Sequence, residues 1–288
     1  MAGAAKRRFD RPLADCHFRS KRAPNRGAGG AAVPLLSSFH LDGRTALVTG
    51  AGRGLGVGMA RGLAEAGAEV VLAARTEAEI AAVAADIQAS GGKARALVLD
   101  VLDEAAVRQA FRDLPALDIL VNNAGTNVPQ PFAEVETEAL DRLLQLNVRA
   151  AFIVAQAAVQ RMLQDPDRKD RGGAVVNITS QLGRVAMKGR SVYSMTKHAL
   201  EGLTKAMAIE LAEANIRVNA VGPTWVDTPM TRPALADPAL RKDVIDSIPM
   251  GHLAQIEDIV GAVVFLASPA AGMITGASLV VDGGWTAR

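Results

Sequence analysis

Tyr193 and Lys197 stand four residues apart, and Ser180 precedes the tyrosine by thirteen. On a helix, that four-residue spacing puts two side chains one turn apart on the same face. Apolar Val192, Met195, Ala199, Leu200, Leu203, Met207 and Leu211 recur around the pair at helical spacing, which predicts such a helix. Tyr193 is the only tyrosine in the chain. A free phenol has a pKa of about 10 and is a poor acid–base catalyst at neutral pH. An ammonium one turn away favours the phenolate and is expected to lower that value. A serine hydroxyl beside the phenol would hold a substrate oxygen against it. Tyr and Lys fall at this spacing by chance on many helices, so the surrounding elements must decide whether the pair is a site.

The first of those elements is a short apolar strand, Thr45–Thr49, running into Gly50-Ala-Gly-Arg-Gly-Leu-Gly56, with a helix following to Ala66 and Gly67 as its stop. Strand, glycine loop and helix together place backbone N–H groups and a helix N-terminus against a phosphate. A Cβ in the loop would block close approach to a pyrophosphate. A second strand, Glu69–Ala74, ends at Arg75. A site specific for NAD places an acidic residue there for the ribose hydroxyls. Here no carboxylate repels a 2′-phosphate, and Arg75, with Arg53 in the loop, could bind one; the alternative is two solvated surface charges. The balance points to NADP ahead of NAD.

Further along, Thr76-Glu-Ala-Glu79 reads as a capping box opening a helix. Ala94–Leu99 is a strand ending at Asp100, and Asp103 caps a helix to about Asp113. Leu117–Val121 is a strand ending at Asn122-Asn-Ala-Gly125; a long helix from Thr137 to about Leu163 carries Asn147. A polar surface loop, 165–173, leads to the strand Ala174–Thr179, with Ser180 at its carboxyl end. The Tyr/Lys helix ends near Asn215, before the strand Ile216–Val221. The proline-rich stretch 222–250 reads as an irregular lid insertion containing Trp225, Met230 and Met250. A helix, Ile256–Ala267, and a strand, Ser278–Asp282, close the chain. Alternation of this kind predicts an α/β fold: a doubly wound parallel sheet of about seven strands, with helices on both faces. Ligands bind such sheets at the carboxyl ends of the strands, where Gly50, Asp100, Asn122 and Ser180 all fall.

Composition narrows the alternatives. A net charge of +2 over 288 residues gives no reason to expect nucleic acid as a partner. The single cysteine, Cys16, permits no internal disulfide, and no metal is expected because the four histidines lack ligand spacing. No apolar run reaches membrane-spanning length, so no membrane contact and a cytoplasmic location are expected. Residues 1–40 form a basic N-terminal extension without the apolar core of a secretory signal. They are read as disordered, or as preceding a true start at Val33. Residues 41–288 are read as one domain.

The loop Thr49-Gly-x-x-x-Gly-x-Gly56, the motif Asn122-Asn-Ala-Gly125, Ser180, Asn147 and Tyr193-x-x-x-Lys197 together resemble the short-chain dehydrogenase/reductase family, from about Leu41 to the C-terminus. The resemblance implies a single-domain Rossmann fold and an NAD(P)-dependent oxidoreductase moving a hydride between nicotinamide and a carbonyl or secondary alcohol. It implies that Tyr193 exchanges a proton with the substrate oxygen and that Ser180 hydrogen-bonds the same oxygen. Lys197 would lower the Tyr193 pKa and bind the nicotinamide ribose, and Asn147 would hold a water in a proton relay. Gly50, Arg53, Gly54, Leu55, Gly56 and Arg75 would hold the phosphate side of the cofactor. Asp100 and Val101 would contact adenine, while Asn123, Ala124, Gly125 and Pro223 would line the rest. One departure is Gly222-Pro-Thr224, where the family usually has Pro-Gly. The C-terminal Val281-Asp-Gly-Gly-Trp-Thr-Ala-Arg288 is similar to the ends of gluconate and deoxygluconate dehydrogenases, which implies a small-molecule sugar acid or polyol as substrate. A 3-oxoacyl-[acyl-carrier-protein] reductase is the alternative enzyme. A non-catalytic NAD(P)-binding sensor, which needs only the glycine loop, is the alternative of another class. The resemblance also implies a homotetramer built through the long helices.

Overall fold

Seven short strands align in one parallel sheet: β1 (Thr45–Thr49), β2 (Glu69–Ala74), β3 (Lys93–Val98), β4 (Ile119–Asn122), β5 (Gly173–Ile178), β6 (Ile216–Pro223) and β7 (Ser278–Val281). The computed structural model describes residues 35–287; Cys16, Val33 and the basic residues of the N-terminal extension lie outside them. The spatial order is β3-β2-β1-β4-β5-β6-β7. Winding therefore runs one way from β1 to β3 and reverses at β4. At that reversal the connections leave β1 and β4 in opposite directions and open a crevice at their carboxyl ends. The central strands are buried and mostly apolar because helices cover them on both sides.

One face packs against α1 (Leu55–Glu65), α2 (Glu77–Ala89) and a late helix, Ile256–Ala267. The other packs against α3 (Glu104–Asp113), α4 (Thr137–Leu163) and α5 (Ser191–Leu211). The first helix approaches the late one very closely. A Cβ at Gly58 would lie 2.1 Å from Ile256, so the contact requires glycine. By length and composition α4 could cross a membrane, contrary to the reading of the linear sequence. Ile153, Val154, Ala158 and Met162 on it are buried against the sheet, as in a core helix.

Several local expectations change in the folded chain. Thr76 makes no side-chain cap, and the Glu79 carboxylate instead lies over Gly52. The capping box that forms is Gln255 with Asp258, at the start of the late helix. Asp103 does cap its helix, accepting from Ala106 N–H at 2.9 Å. The long helix is interrupted by a π-helical turn, Gln145–Ala150, which carries Asn147. The stretch 222–250 is not irregular throughout: it contains a helical turn, Arg232–Leu235, and a helix, Pro238–Ser247. Another turn, Arg168–Arg171, sits within the polar loop before β5.

At the amino ends of the strands lies a charged cluster that no sequence pattern announced. Asp118 is buried and accepts from Thr45 N–H at 3.0 Å, Arg168 at 3.2 Å, Arg171 at 2.9 Å and Arg44 at 3.4 Å. Three segments distant in sequence are pinned there, at the end of the sheet opposite the crevice.

Candidate active site

The crevice begins with the loop after β1. Gly50 has φ +65° and Gly54 φ +58°, backbone conformations that L side chains rarely adopt. A Cβ at Gly56 would lie 2.1 Å from the Gly50 carbonyl oxygen, so the first turn of α1 folds back on the loop only because nothing projects there. The β4 motif is tied to this loop. Asn123 and Ala124 donate their N–H groups to Thr49 Oγ1, each at 3.0 Å, and Asn123 Nδ2 donates to Thr49 O at 2.9 Å. This Cβ-free backbone at a helix N-terminus fits the pyrophosphate of a dinucleotide. Arg53 and Arg75 are exposed beside it, among the described residues without a carboxylate partner. Val101 is buried, and Asp100 accepts from Leu102 N–H at 3.0 Å, fixing the turn after β3.

Ser180 follows β5 and is held by its neighbours: it accepts from Leu182 N–H at 3.1 Å and lies 3.5 Å from the Pro223 carbonyl. Tyr193 on α5 lines the same space as Ser180. The two hydroxyls lie on a cavity of about 410 Å³, lined also by Gln181, Arg190, Trp225 and Met230. Met230 and Trp225 from the 222–250 stretch thus face the cavity, whereas Met250 is exposed elsewhere. Asn147 is buried; its Nδ2 donates to Thr126 O at 2.8 Å and to Thr196 Oγ1 at 3.2 Å, and its Oδ1 accepts from Thr126 N–H at 2.9 Å.

Lys197 is buried one turn behind Tyr193, with Nζ 5.5 Å from the centre of the phenol ring and donating to Ile178 O at 2.9 Å. The net shift of the phenol runs opposite to the sequence expectation. Burial pushes the half-buried Tyr193 hydroxyl up, and this outweighs the lowering by the Ser180 hydroxyl and the Arg190 charge. Burial also pushes Lys197 down to about 8, against the raising charge of Glu201. The folded chain therefore holds fewer protons than the unfolded one between pH 8 and the ordinary value of 10.5. Wild type should gain stability relative to Lys197→Met as pH rises through that window. Urea unfolding at a series of pH values checks this, and a constant difference between the two proteins would contradict it.

Glu201 lies one turn beyond Lys197, buried, accepting from Thr179 Oγ1 at 2.7 Å and Ser278 Oγ at 2.9 Å. Motif reading passed over it, as it did Gln181 and Arg190. The available signals were the four-residue continuation from Lys197 to Glu201 and the position of Arg190 three residues before the tyrosine.

The fold and this site define a nicotinamide-dependent oxidoreductase. Residues 50–286 match the family model described as enoyl-(acyl carrier protein) reductase. Human L-xylulose reductase is 40% identical over 251 residues, covering 86% of this chain and 99% of that protein. Gluconate 5-dehydrogenase of Gluconobacter oxydans (strain 621H) is 39% identical over 253 residues, covering 86% and 96% respectively. Among solved structures, a gluconate 5-dehydrogenase from Burkholderia cenocepacia J2315, in complex with NADP and tartrate, is similar with a TM-score of 0.84 and 36% identity, covering 88% of this chain and 100% of that one. The chain belongs to the short-chain dehydrogenase/reductase family and is an NAD(P)-dependent enzyme acting on CH–OH donors or the corresponding carbonyls.

Proposed function

We propose that this enzyme interconverts a sugar acid or polyol with its keto form, using NADP in preference to NAD. The observation that carries the reading is the cavity at the Ser180–Tyr193 pair. Gln181 Oε1, Asn127 Oδ1 and Thr224 Oγ1 are buried there with no hydrogen-bond partner among the described residues. A hydroxyl-rich substrate would satisfy these atoms, whereas an acyl chain would leave them unpaired at a cost.

In the proposed mechanism Ser180 donates a hydrogen bond to the reacting oxygen and Tyr193 exchanges a proton with it. The raised phenol pKa keeps Tyr193 protonated at neutral pH, the state needed to donate to a carbonyl oxygen. The Lys197 ammonium favours the phenolate left behind, and Asn147 supports proton replacement from the Thr126 side. NADP, when bound, supplies hydride chemistry at the nicotinamide. Gly50, Gly54, Leu55 and Gly56 would hold its pyrophosphate, with Arg53 and Arg75 on the 2′-phosphate. Asp100 and Val101 would take the adenine, and Asn123, Ala124, Gly125, Pro223, Tyr193 and Lys197 the nicotinamide riboside. Residues 41–288 form the catalytic domain in this reading, located in the cytoplasm without membrane or nucleic-acid contacts. A homotetramer through α4 and α5 would cover Phe152, Leu163 and Ile209, which these helices expose.

Following NADPH oxidation against 5-keto-D-gluconate, L-xylulose and a 3-oxoacyl thioester tests the assignment. Turnover of the thioester alone would make the enzyme an acyl reductase, and NADPH binding without any turnover would make it a sensor. Arg75→Ala should raise the Michaelis constant for NADP about 10-fold more than that for NAD. An equal change in both would refute the cofactor preference.

A further inference from the structure

We propose that Arg190 is a carboxylate anchor, so that the cavity takes polyhydroxylated acids ahead of neutral polyols of the same chain length. The inference rests on the sugar oxidoreductase reading and specifies its substrate class.

Arg190 is only 8% exposed and lines the same cavity as Ser180 and Tyr193. Its hydrogen bond to protein is a long one, from Nη1 to the Gly189 carbonyl at 3.4 Å. Among the described residues no carboxylate forms an ion pair with it. Its guanidinium carbon lies 5.7 Å from the centre of the Trp225 ring, which supports the cationic plane without using its N–H donors. The same chain shows how a structural buried arginine is treated. Arg168, 4% exposed, donates to Asp118 and Asp165 and to the carbonyls of Met162 and Leu117. A buried cation with donors unspent is costly unless a ligand completes it.

The geometry of a guanidinium selects what completes it. Its planar fork matches the two oxygens of a carboxylate, which a hydroxymethyl group cannot supply. The unpartnered oxygens of Gln181, Asn127 and Thr224 line the same cavity and can accept from hydroxyl groups. One cationic anchor beside several hydroxyl acceptors describes a site for an aldonate or keto-aldonate.

The matched pair 5-keto-D-gluconate and L-sorbose, which differ only in carboxylate against hydroxymethyl at one end, tests this directly with NADPH. Wild type should favour the acid by about 100-fold in kcat/KM. Arg190→Met should collapse that ratio to a few-fold, mainly through the KM of the acid, and Arg190→Lys should restore part of it by returning charge without the fork. NADPH binding measured by fluorescence verifies that each variant is folded. Equal loss on both substrates in Arg190→Met, with no recovery in Arg190→Lys, would overturn the anchor and make Arg190 structural. Reduction of L-sorbose or L-xylulose in preference to the acid by wild type would overturn it too, leaving the proposed function standing. Reduction of no sugar at all, with NADPH bound, would overturn both.

Discussion

Replacing Tyr193 by Phe should lower kcat for carbonyl reduction by about 1,000-fold while leaving the dissociation constant of NADPH within a few-fold of wild type. The substitution removes one oxygen and leaves the ring in place over Lys197. General acid catalysis contributes roughly 100- to 10,000-fold in well-placed systems, and Ser180 alone can polarise a carbonyl but cannot supply the proton as a phenol can. Single-turnover NADPH oxidation measures the chemical step separately from binding. The direction of the pKa shift adds a second readout. Burial holds the phenol protonated, so reduction should be favoured at neutral pH and the reverse oxidation should accelerate as pH rises. A phenylalanine ring carries no titrating hydroxyl, so the variant's residual oxidation should lose that dependence. Turnover within 10-fold of wild type would show that the proton comes from another group.

The second large effect is on stability and lies far from the chemistry. Asp118→Ala should destabilise the protein by about 3 kcal/mol, because it strips the buried Arg168 of one carboxylate and leaves Thr45 N–H without its side-chain acceptor. Arg168 keeps Asp165 at 3.2 Å, which places the effect at the lower end of the range of about 3–5 kcal/mol for breaking a buried pair. A shift of that size lowers the melting temperature by about 10 °C in a domain of this length. Burial pushes the Asp118 carboxyl up, but the Thr45 N–H and the Arg171 and Arg44 guanidinium groups outweigh it, and its folded pKa falls below the ordinary value. A lowered carboxyl pKa gives stability that is complete above about pH 4 and is lost as pH falls through the folded value. Wild type should therefore lose its advantage over Asp118→Ala in acid. At 20 °C and neutral pH the kcat of the variant should be near wild type, since the cluster sits at the opposite end of the sheet from the cavity. Thermal unfolding at pH 7 and pH 3 checks both points; the same difference at the two pH values would remove the carboxylate from the explanation.

What the linear chain determined was what local chemistry can determine. Strands of four to eight residues, glycines at the β1 turn and helical apolar periods are short-range features, and each was legible. The alternation of those elements required crossover helices and hence a parallel sheet, with Gly50, Asn122 and Ser180 at its carboxyl ends. Tyr193, Lys197 and Ser180 were legible for the same reason, since the first two share a helix face and the third ends a strand. What needed the tertiary structure were the terms set by burial and by partners distant in sequence. Thr76 and Glu79 have the spacing of a capping box, yet the Glu79 carboxylate lies over Gly52 in another segment. The net shift of Tyr193 read as a lowering from spacing alone, but desolvation depends on everything packed around the phenol and turns that net shift upward. Arg168 and Arg190 are both arginines in polar stretches, and local sequence does not show which of them will be ion-paired. Folding gives one two carboxylates and leaves the other facing a cavity, because ion pairing depends on distances that only the assembled sheet sets.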